Sequence, residues 1–127
     1  MKTEVYNIFF DEENSFVTME WSGYATSLQF REGTELMLQT LITNNSSRVL
    51  ADIREMILIG QEDQHWLENN FLPRAITSGF AKIAIVRPTA YFNKVAVENI
   101  SYKIDKEKLA VHYCDNKTDA VLWLNTN

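Results

Sequence analysis

The chain has 127 residues, of which 46% are hydrophobic and 23% charged, and 12 Lys and Arg oppose 17 Asp and Glu for a formal net charge of −5. That length and composition are typical of a globular protein, so we expect a single domain over residues 1–127. The negative charge repels nucleic acid, and every apolar run is far shorter than the ~20 residues of a membrane span, so we expect neither a nucleic-acid partner nor a membrane span.

The first residues predict a β-hairpin. Two runs rich in β-branched and aromatic residues, 4–10 and 15–21, flank a polar turn. The alternation within the second run predicts that Thr18 and Glu20 face water, while Val17, Met19 and Trp21 pack on the core.

A capping box predicts that a long helix begins near residue 27. Thr26 can accept a hydrogen bond from the first free amides, and Gln29 can return one. Apolar residues at helical spacing continue to the turn-forming cluster at 44–47. Gly33 leaves a small spot on the apolar face, where we expect a strand to approach closely.

Residues 48–53 predict a strand buried on both faces, and the acidic residues that follow predict the start of a second helix near residue 61. The apolar stripe of that helix extends to Gly79, which suits a left-handed helix terminator. Pro73 removes an amide donor from the middle of the stripe, so we expect a kink or a restart there.

The rest of the chain continues the alternation. It predicts a strand at 81–86, a helix at 90–100, a strand at 109–115 and a final helix capped by Asp115 or Asn116. The complete order is ββαβαβαβα. This order predicts an α/β fold in which helices cover a mixed, mostly parallel sheet that includes an antiparallel strand from the hairpin.

Ionisable residues converge in one region, where the strand in residues 49–56 (VLADIREM) ends and the next helix begins. Open α/β sheets place their sites at this edge. The candidate partner-binding residues are therefore Asp52, Arg54, Glu55, Glu62 and Asp63. A helix cap and a surface ion pair of Arg54 with an acidic neighbour would account for the same residues in purely structural terms.

No spacing in the sequence predicts a cofactor, a metal site or catalytic residues. The glycines form no phosphate-binding loop, and no serine lies in a nucleophile elbow. Cys114 with His65 or His112 is a conceivable pair of nucleophile and base, but a lone cysteine in an apolar strand is more often a small buried residue. We therefore expect no enzymatic activity. The single cysteine and the absence of an apolar leader favour a cytoplasmic location.

Aromatic residues in the second half of the chain either form the core or line an apolar pocket beneath residues 61–79. The candidate pocket residues are Trp66, Phe71, Phe80 and Phe92. The segment around Pro73 would then be a movable cover over a lipid or another small hydrophobic ligand.

The order of several motifs resembles that of the SpoIIAA-like proteins. The motifs are residues 19–23 (MEWSG), 50–56 (LADIREM), 62–67 (EDQHWL), 73–75 (PRA) and 120–124 (AVLWL). These proteins are grouped with STAS domains, the anti-sigma factor antagonist fold, and are compared with CRAL-TRIO lipid-binding domains. The resemblance implies a non-enzymatic STAS-like α/β domain.

STAS antagonists carry a phosphorylatable serine at the start of the helix that follows a strand such as 49–53. In this chain that start reads GQEDQ, with no Ser or Thr. A carboxylate there carries less charge than a phosphoserine and lacks its three oxygens, so we expect no phospho-switch at this place. The sequence therefore predicts a binding or regulatory module that docks a protein partner or a second copy of itself, or that holds a small hydrophobic ligand.

Overall fold

The computed structural model describes residues 1–57, 60–88, 105 and 107–126. The strands are β1 (Tyr6–Asp11), β2 (Phe16–Gly23), β3 (Arg48–Met56), β4 (Lys82–Val86) and β5 (Ala110–Cys114). The helices are α1 (Ser27–Thr43), α2 (Gln61–Trp66), α3 (Leu72–Thr77) and α4 (Lys117–Leu124), and a π-helical turn (Leu67–Phe71) joins α2 to α3. The helix predicted at 90–100 lies outside the described residues.

The five strands form one sheet in the order β1-β2-β3-β4-β5. β1 pairs with β2 in antiparallel orientation, and the other neighbouring strands are parallel. This confirms the mixed, mostly parallel sheet with an N-terminal hairpin. Because β2 to β5 run in one direction, their last residues share one side of the sheet, and this carboxyl edge is formed by the ends Gly23, Met56, Val86 and Cys114.

Each face of the sheet buries its own apolar cluster. On the first face, Val17, Met19 and Trp21 pack with residues of α1 and of the π-helical turn. On the second face, Phe16 and Leu50 join a cluster that includes residues of α4. We call these faces the α1 face and the α4 face.

The position of Thr18 differs from the expectation that its side chain faces water. The residue is only 5% exposed, and Glu20 is half-buried. Both side chains project to the same side of the sheet as Phe16, which is the α4 face. This face is covered by protein, unlike the solvated face of a sheet that is buried on one side only. Thr18 is therefore buried on a covered face, although the alternation of the hairpin predicts it to be exposed.

The capping box and the close approach at Gly33 are both confirmed. Thr26 Oγ1 accepts a hydrogen bond from the Gln29 backbone N–H at 3.1 Å, and Gln29 Oε1 accepts one from the Thr26 N–H at 2.9 Å. A methyl group built on Gly33 would lie 2.5 Å from Cη2 of Trp21 and 3.0 Å from Cδ2 of Tyr6. Only a glycine lets α1 pack this closely on the hairpin.

Charged side chains hold the carboxyl end of α4 on the sheet. Arg48 Nη1 donates to the Leu124 carbonyl at 2.6 Å, and Lys82 Nζ donates to the Trp123 carbonyl at 3.1 Å. These two cations lie at the end where the helix dipole is negative, and the Trp123 carbonyl also accepts a hydrogen bond from the Thr126 N–H at 3.1 Å. At the other end, Asn116 Oδ1 caps the helix, as the sequence predicts.

The break expected at Pro73 takes the form of a π-helical turn. The backbone stays helical from α2 to α3, but the Leu72 N–H donates to the Leu67 carbonyl five residues earlier. Pro73 then lies in the first turn of α3, where its missing amide donor costs little. After α3, Gly79 adopts the positive φ of 110° that the sequence predicts for a helix terminator.

Replacing Gly33 by alanine tests the packing of α1 on the hairpin. Overpacking a core costs about 1–3 kcal/mol, and alanine regains about 1 kcal/mol as the better helix former. The difference is about 0–2 kcal/mol, so we expect Gly33→Ala to lower the free energy of unfolding by about 1 kcal/mol, measured by denaturant titration. The control is Gln39→Ala on the exposed side of the same helix, which should change stability little. Equal stability of the two variants would contradict the close packing.

Candidate functional site

The five residues proposed from the sequence all lie near the carboxyl edge, but they do not form one cluster. Asp52 and Arg54, in β3, interact on the α4 face. Asp63, in α2, interacts with α1 on the other face. Glu55 and Glu62 are exposed. The structure therefore divides the predicted site into two buried carboxylates and two surface carboxylates.

Asp52 is buried in β3 and held by basic side chains. Arg54 Nε donates to Asp52 Oδ1 at 3.0 Å, Arg54 Nη2 donates to Asp52 Oδ2 at 2.9 Å, and the Arg54 backbone N–H donates to Oδ1 at 3.3 Å. Lys117, at the start of α4, lies 3.7 Å from Asp52 Oδ2 and forms an ion pair with Glu20. Asp52 thus helps to join β3 to the first turn of α4.

A β-bulge in β3 shapes this end of the sheet. Glu20 of β2 lies opposite Asp52, but Ser22 lies opposite Glu55, so β3 contains one residue more than β2 over this interval. The additional residue interrupts the alternation of side chains. As a result, Met56 is buried in the cluster on the α1 face, and the exposed Glu55 precedes it directly.

Burial and hydrogen bonding act in opposite directions on Asp52. Burial on its own raises the pKa of this carboxyl group, because it disfavours the charged form. The hydrogen bonds from Arg54 and the charges of Arg54 and Lys117 outweigh burial, so the pKa of Asp52 lies below its ordinary value. Asp52 is therefore ionised at neutral pH and acts as a structural anion.

Asp63 is also buried and paired. Its Oδ1 atom accepts hydrogen bonds from Ser27 Oγ at 2.7 Å and from Arg31 Nε at 3.0 Å. The Arg31 guanidinium also lies over the ring of Trp66, 5.3 Å from its centroid. Asp63 therefore ties α2 to the first turns of α1 and is not a free surface charge.

Three exposed apolar side chains at the carboxyl edge were not predicted from the sequence. Tyr24 is 60% exposed, Leu28 is 68% exposed and Ile57 is 56% exposed. The Ile57 N–H donates to the Gly23 carbonyl at 3.1 Å, which places Ile57 beside the β2–α1 connection that carries Tyr24. We call Tyr24, Leu28 and Ile57 the carboxyl-edge patch. One signal was available in the sequence, because Leu28 lies off the apolar stripe of α1.

An apolar cavity of about 120 Å³ lies between the α1 face and the π-helical turn. Of the four pocket residues proposed from the sequence, Phe71 and Phe80 line it. Trp66 packs outside it, with its ring centroid 5.5 Å from that of Phe71. Phe92 lies outside the described residues. The described wall also includes residues that the pocket prediction missed, among them Met19, Met37, Met56 and Leu67.

The structure does not bring Cys114 and His65 together. Cys114 is buried in the α4-face cluster, and burial raises the pKa of its thiol. His65 is exposed in α2, which packs on α1, and the ring of His112 stacks on Trp123 at a centroid distance of 4.9 Å. Within the described ranges, no three His, Cys, Asp or Glu side chains form a group that could hold a metal ion.

Comparison with known proteins supports the fold. No family model and no curated protein matches the chain. Its structure is similar to the crystal structure of an uncharacterized DUF3478-family protein with a SpoIIAA-like fold from Shewanella loihica PV-4. The similarity covers 98% of both chains, with a TM-score of 0.63 and 18% sequence identity. The SpoIIAA-like fold implied by the sequence motifs is therefore confirmed. In addition, no helix in the described part of the chain is long and apolar enough to cross a membrane.

Asp52→Asn tests the structural role of the buried anion. Losing hydrogen bonds to a charged group typically costs about 1.5–3 kcal/mol, so we expect the variant to be less stable by about that amount at pH 7. The native pKa of Asp52 is lowered, so its ionised form stabilises the fold above the unfolded pKa of about 4, and this contribution is lost as the pH falls below that value. The difference between wild type and variant should therefore shrink in acid.

Denaturant titrations at several pH values measure this difference, with Asp115→Asn as the control. Asp115 pairs with Arg87, but its side chain is 78% exposed. The control should therefore cost at most about 1 kcal/mol. The assignment of Asp52 as a structural anion would be contradicted if Asp52→Asn destabilised the protein no more than Asp115→Asn does. It would also be contradicted if the effect of Asp52→Asn stayed constant as the pH falls.

Proposed function

We propose that this chain is a non-enzymatic STAS-like module that docks a protein partner at its carboxyl edge. The observation that carries the proposal is the carboxyl-edge patch, in which three large apolar side chains are each more than half exposed. Single exposed apolar residues are ordinary, whereas exposed apolar residues grouped into a patch mark protein interaction surfaces. Aromatic residues such as Tyr24 are also enriched in such surfaces.

Charge indicates what kind of partner fits this surface. Glu55 and Glu62 are exposed at the same edge, and the chain carries a formal net charge of −5. A partner with an apolar centre and a basic rim would complement both features. Docking of a second copy through the same edge would bring like charges together, so we favour a different protein over self-association.

In this proposal the buried carboxylates shape the edge and do not touch the partner. Asp52 holds the first turn of α4 through Lys117, and Asp63 joins α2 to α1. Both fix helix starts that surround the patch. The partner itself would contact the patch together with Glu55 and Glu62.

The absence of enzymatic activity is part of the same proposal. A buried thiol with a raised pKa, such as that of Cys114, is a poor nucleophile because the thiolate is its reactive form. A cytoplasmic location stays a prediction, supported by the single cysteine of the sequence.

The cavity favours a second candidate function, the binding of a small hydrophobic molecule. It lies beneath the segment that the sequence predicts as the cover, and Leu67, Phe71 and Leu72 of that segment line it. The two functions use different surfaces, so each can be tested without the other.

Photo-crosslinking at position 28 tests the docking proposal. Leu28 is replaced by p-benzoylphenylalanine in cells that produce the protein, and the adducts are identified by mass spectrometry. The control places the same residue at Leu122, which is 64% exposed on α4. We expect one predominant adduct with a different protein at position 28 and none with that protein at position 122. Adducts with copies of this chain alone, or the same adducts at both positions, would refute the proposal.

Charge reversal tests the acidic rim. We expect Glu55→Lys with Glu62→Lys to weaken binding of the crosslinked partner by about tenfold, because reversing two rim charges makes a basic rim repulsive. The control is Glu12→Lys with Glu13→Lys, which changes the net charge equally in the exposed β1–β2 turn at the opposite edge. Isothermal titration measures both variants at low and moderate salt. Equal effects of the two pairs would mean that the rim has no specific role.

A further inference from the structure

We propose that the cavity between the α1 face and the π-helical turn binds one small uncharged aromatic ring, of about the size of benzene or toluene. This inference rests on the second candidate function and names its ligand class. It follows from the volume of the cavity, the polarity of its wall and the residue types in that wall.

The volume limits the ligand to a single ring. The cavity measures about 120 Å³. An engineered apolar cavity of about 150 Å³ binds benzene, whereas pockets for drug-sized ligands begin at about 300 Å³. A lipid chain exceeds this interior volume, whereas a single ring fits it.

The described part of the wall offers no charged group to a ligand, and its side-chain polar atoms are those of Thr34 and Trp21. No described lining residue is charged, and Thr34 is the only one of them with a side-chain oxygen. Its hydroxyl already donates to the Phe30 carbonyl at 2.7 Å. A carboxylate or phosphate that entered the cavity would lose its hydration without meeting a cation among the described lining residues, which is costly for a charged group. The ligand must therefore be uncharged.

Methionine is concentrated in this wall. The sequence has four methionines, and three of them, Met19, Met37 and Met56, line the cavity. Thioethers are polarizable, make favourable contacts with aromatic rings and adapt their shape to a ligand. Phe71 and Phe80 offer ring edges and faces to the same space. These residue types favour an aromatic ring over a saturated hydrocarbon of equal size.

The π-helical turn supplies one side of the cavity. Leu67 and Phe71, its first and last residues, both line it. π-Helical turns inside α-helices occur frequently at functional sites, because they change the direction in which side chains project. Here the turn directs two apolar side chains into one space.

Methyl NMR of the protein labelled with ¹³C at its methionine methyl groups tests the inference. Benzene is titrated into the full chain, with cyclohexane and hexanoate as comparison probes. We expect saturable shifts of the signals of Met19, Met37 and Met56, and none for Met1, which is 71% exposed and serves as an internal control. Benzene should bind more tightly than cyclohexane, and hexanoate should not bind.

A cavity-filling substitution provides the matched variant. Ala51 lines the cavity, so Ala51→Val should weaken benzene binding by about tenfold, because the added methyl groups occupy the ring's space. Ala81→Val, at an exposed position, should leave binding unchanged. If Ala51→Val fails to fold, intermolecular NOEs from benzene to the three methionine methyl groups in the wild type decide the location.

The outcomes separate this inference from the second candidate function, on which it rests. Equal or tighter binding of cyclohexane or hexanoate would overturn the aromatic class but leave a hydrophobic-ligand function standing. No binding of any probe would overturn both. Benzene binding that is unchanged in a folded Ala51→Val protein, or NOEs to other residues, would place the ligand elsewhere. None of these results affects the docking proposal, which depends on Leu28.

Discussion

The fold depends on burying both faces of β3. Residues 49–53 are all buried, with alternate side chains facing the α1 face and the α4 face. A strand covered on both sides must satisfy any charge that it contains, because an unpaired buried charge is very costly. Asp52 is the one charge in this stretch, and Arg54 and Lys117 neutralise it. The ion pair of Asp52 with Lys117 also fixes the start of α4 on the α4 face. Neutralising Asp52 and covering the α4 face therefore depend on the same interaction.

This constraint explains why the buried carboxylates at the carboxyl edge are paired. Strand ends and helix starts collect there in any sheet of this kind, and ionisable residues collect with them. In this chain Asp52 and Asp63 are used to hold helices against the sheet and against each other. The accessible side chains of this edge include the apolar Tyr24, Leu28 and Ile57 and the surface carboxylates Glu55 and Glu62. The edge therefore has the chemistry of a contact surface more than that of a reaction site.

Features that depend on residues close together in the sequence could be predicted, whereas features that depend on residues far apart could not. The Thr26 capping box, the Asn116 cap and the hairpin involve near neighbours, and all were predictable from local patterns. By contrast, the ion pair of Glu20 with Lys117 joins residues 97 apart and the hydrogen bond of Ser27 to Asp63 joins residues 36 apart, and neither was predicted. The cavity is a property of packing among several elements, so no local pattern could predict its volume or its wall.

α1 contributes to both candidate sites while keeping them apart. Leu28 lies on its solvent side in the first turn, whereas Phe30, Thr34 and Met37 line the cavity from its inner side. Between these inner residues, Gly33 presses the helix against Trp21, and a helix fixed at so close a contact has little room to shift. The cavity can adapt through methionine side chains and the π-helical turn instead. A ligand in the cavity would therefore be accommodated away from the carboxyl-edge patch, which leaves the patch in place to receive a protein.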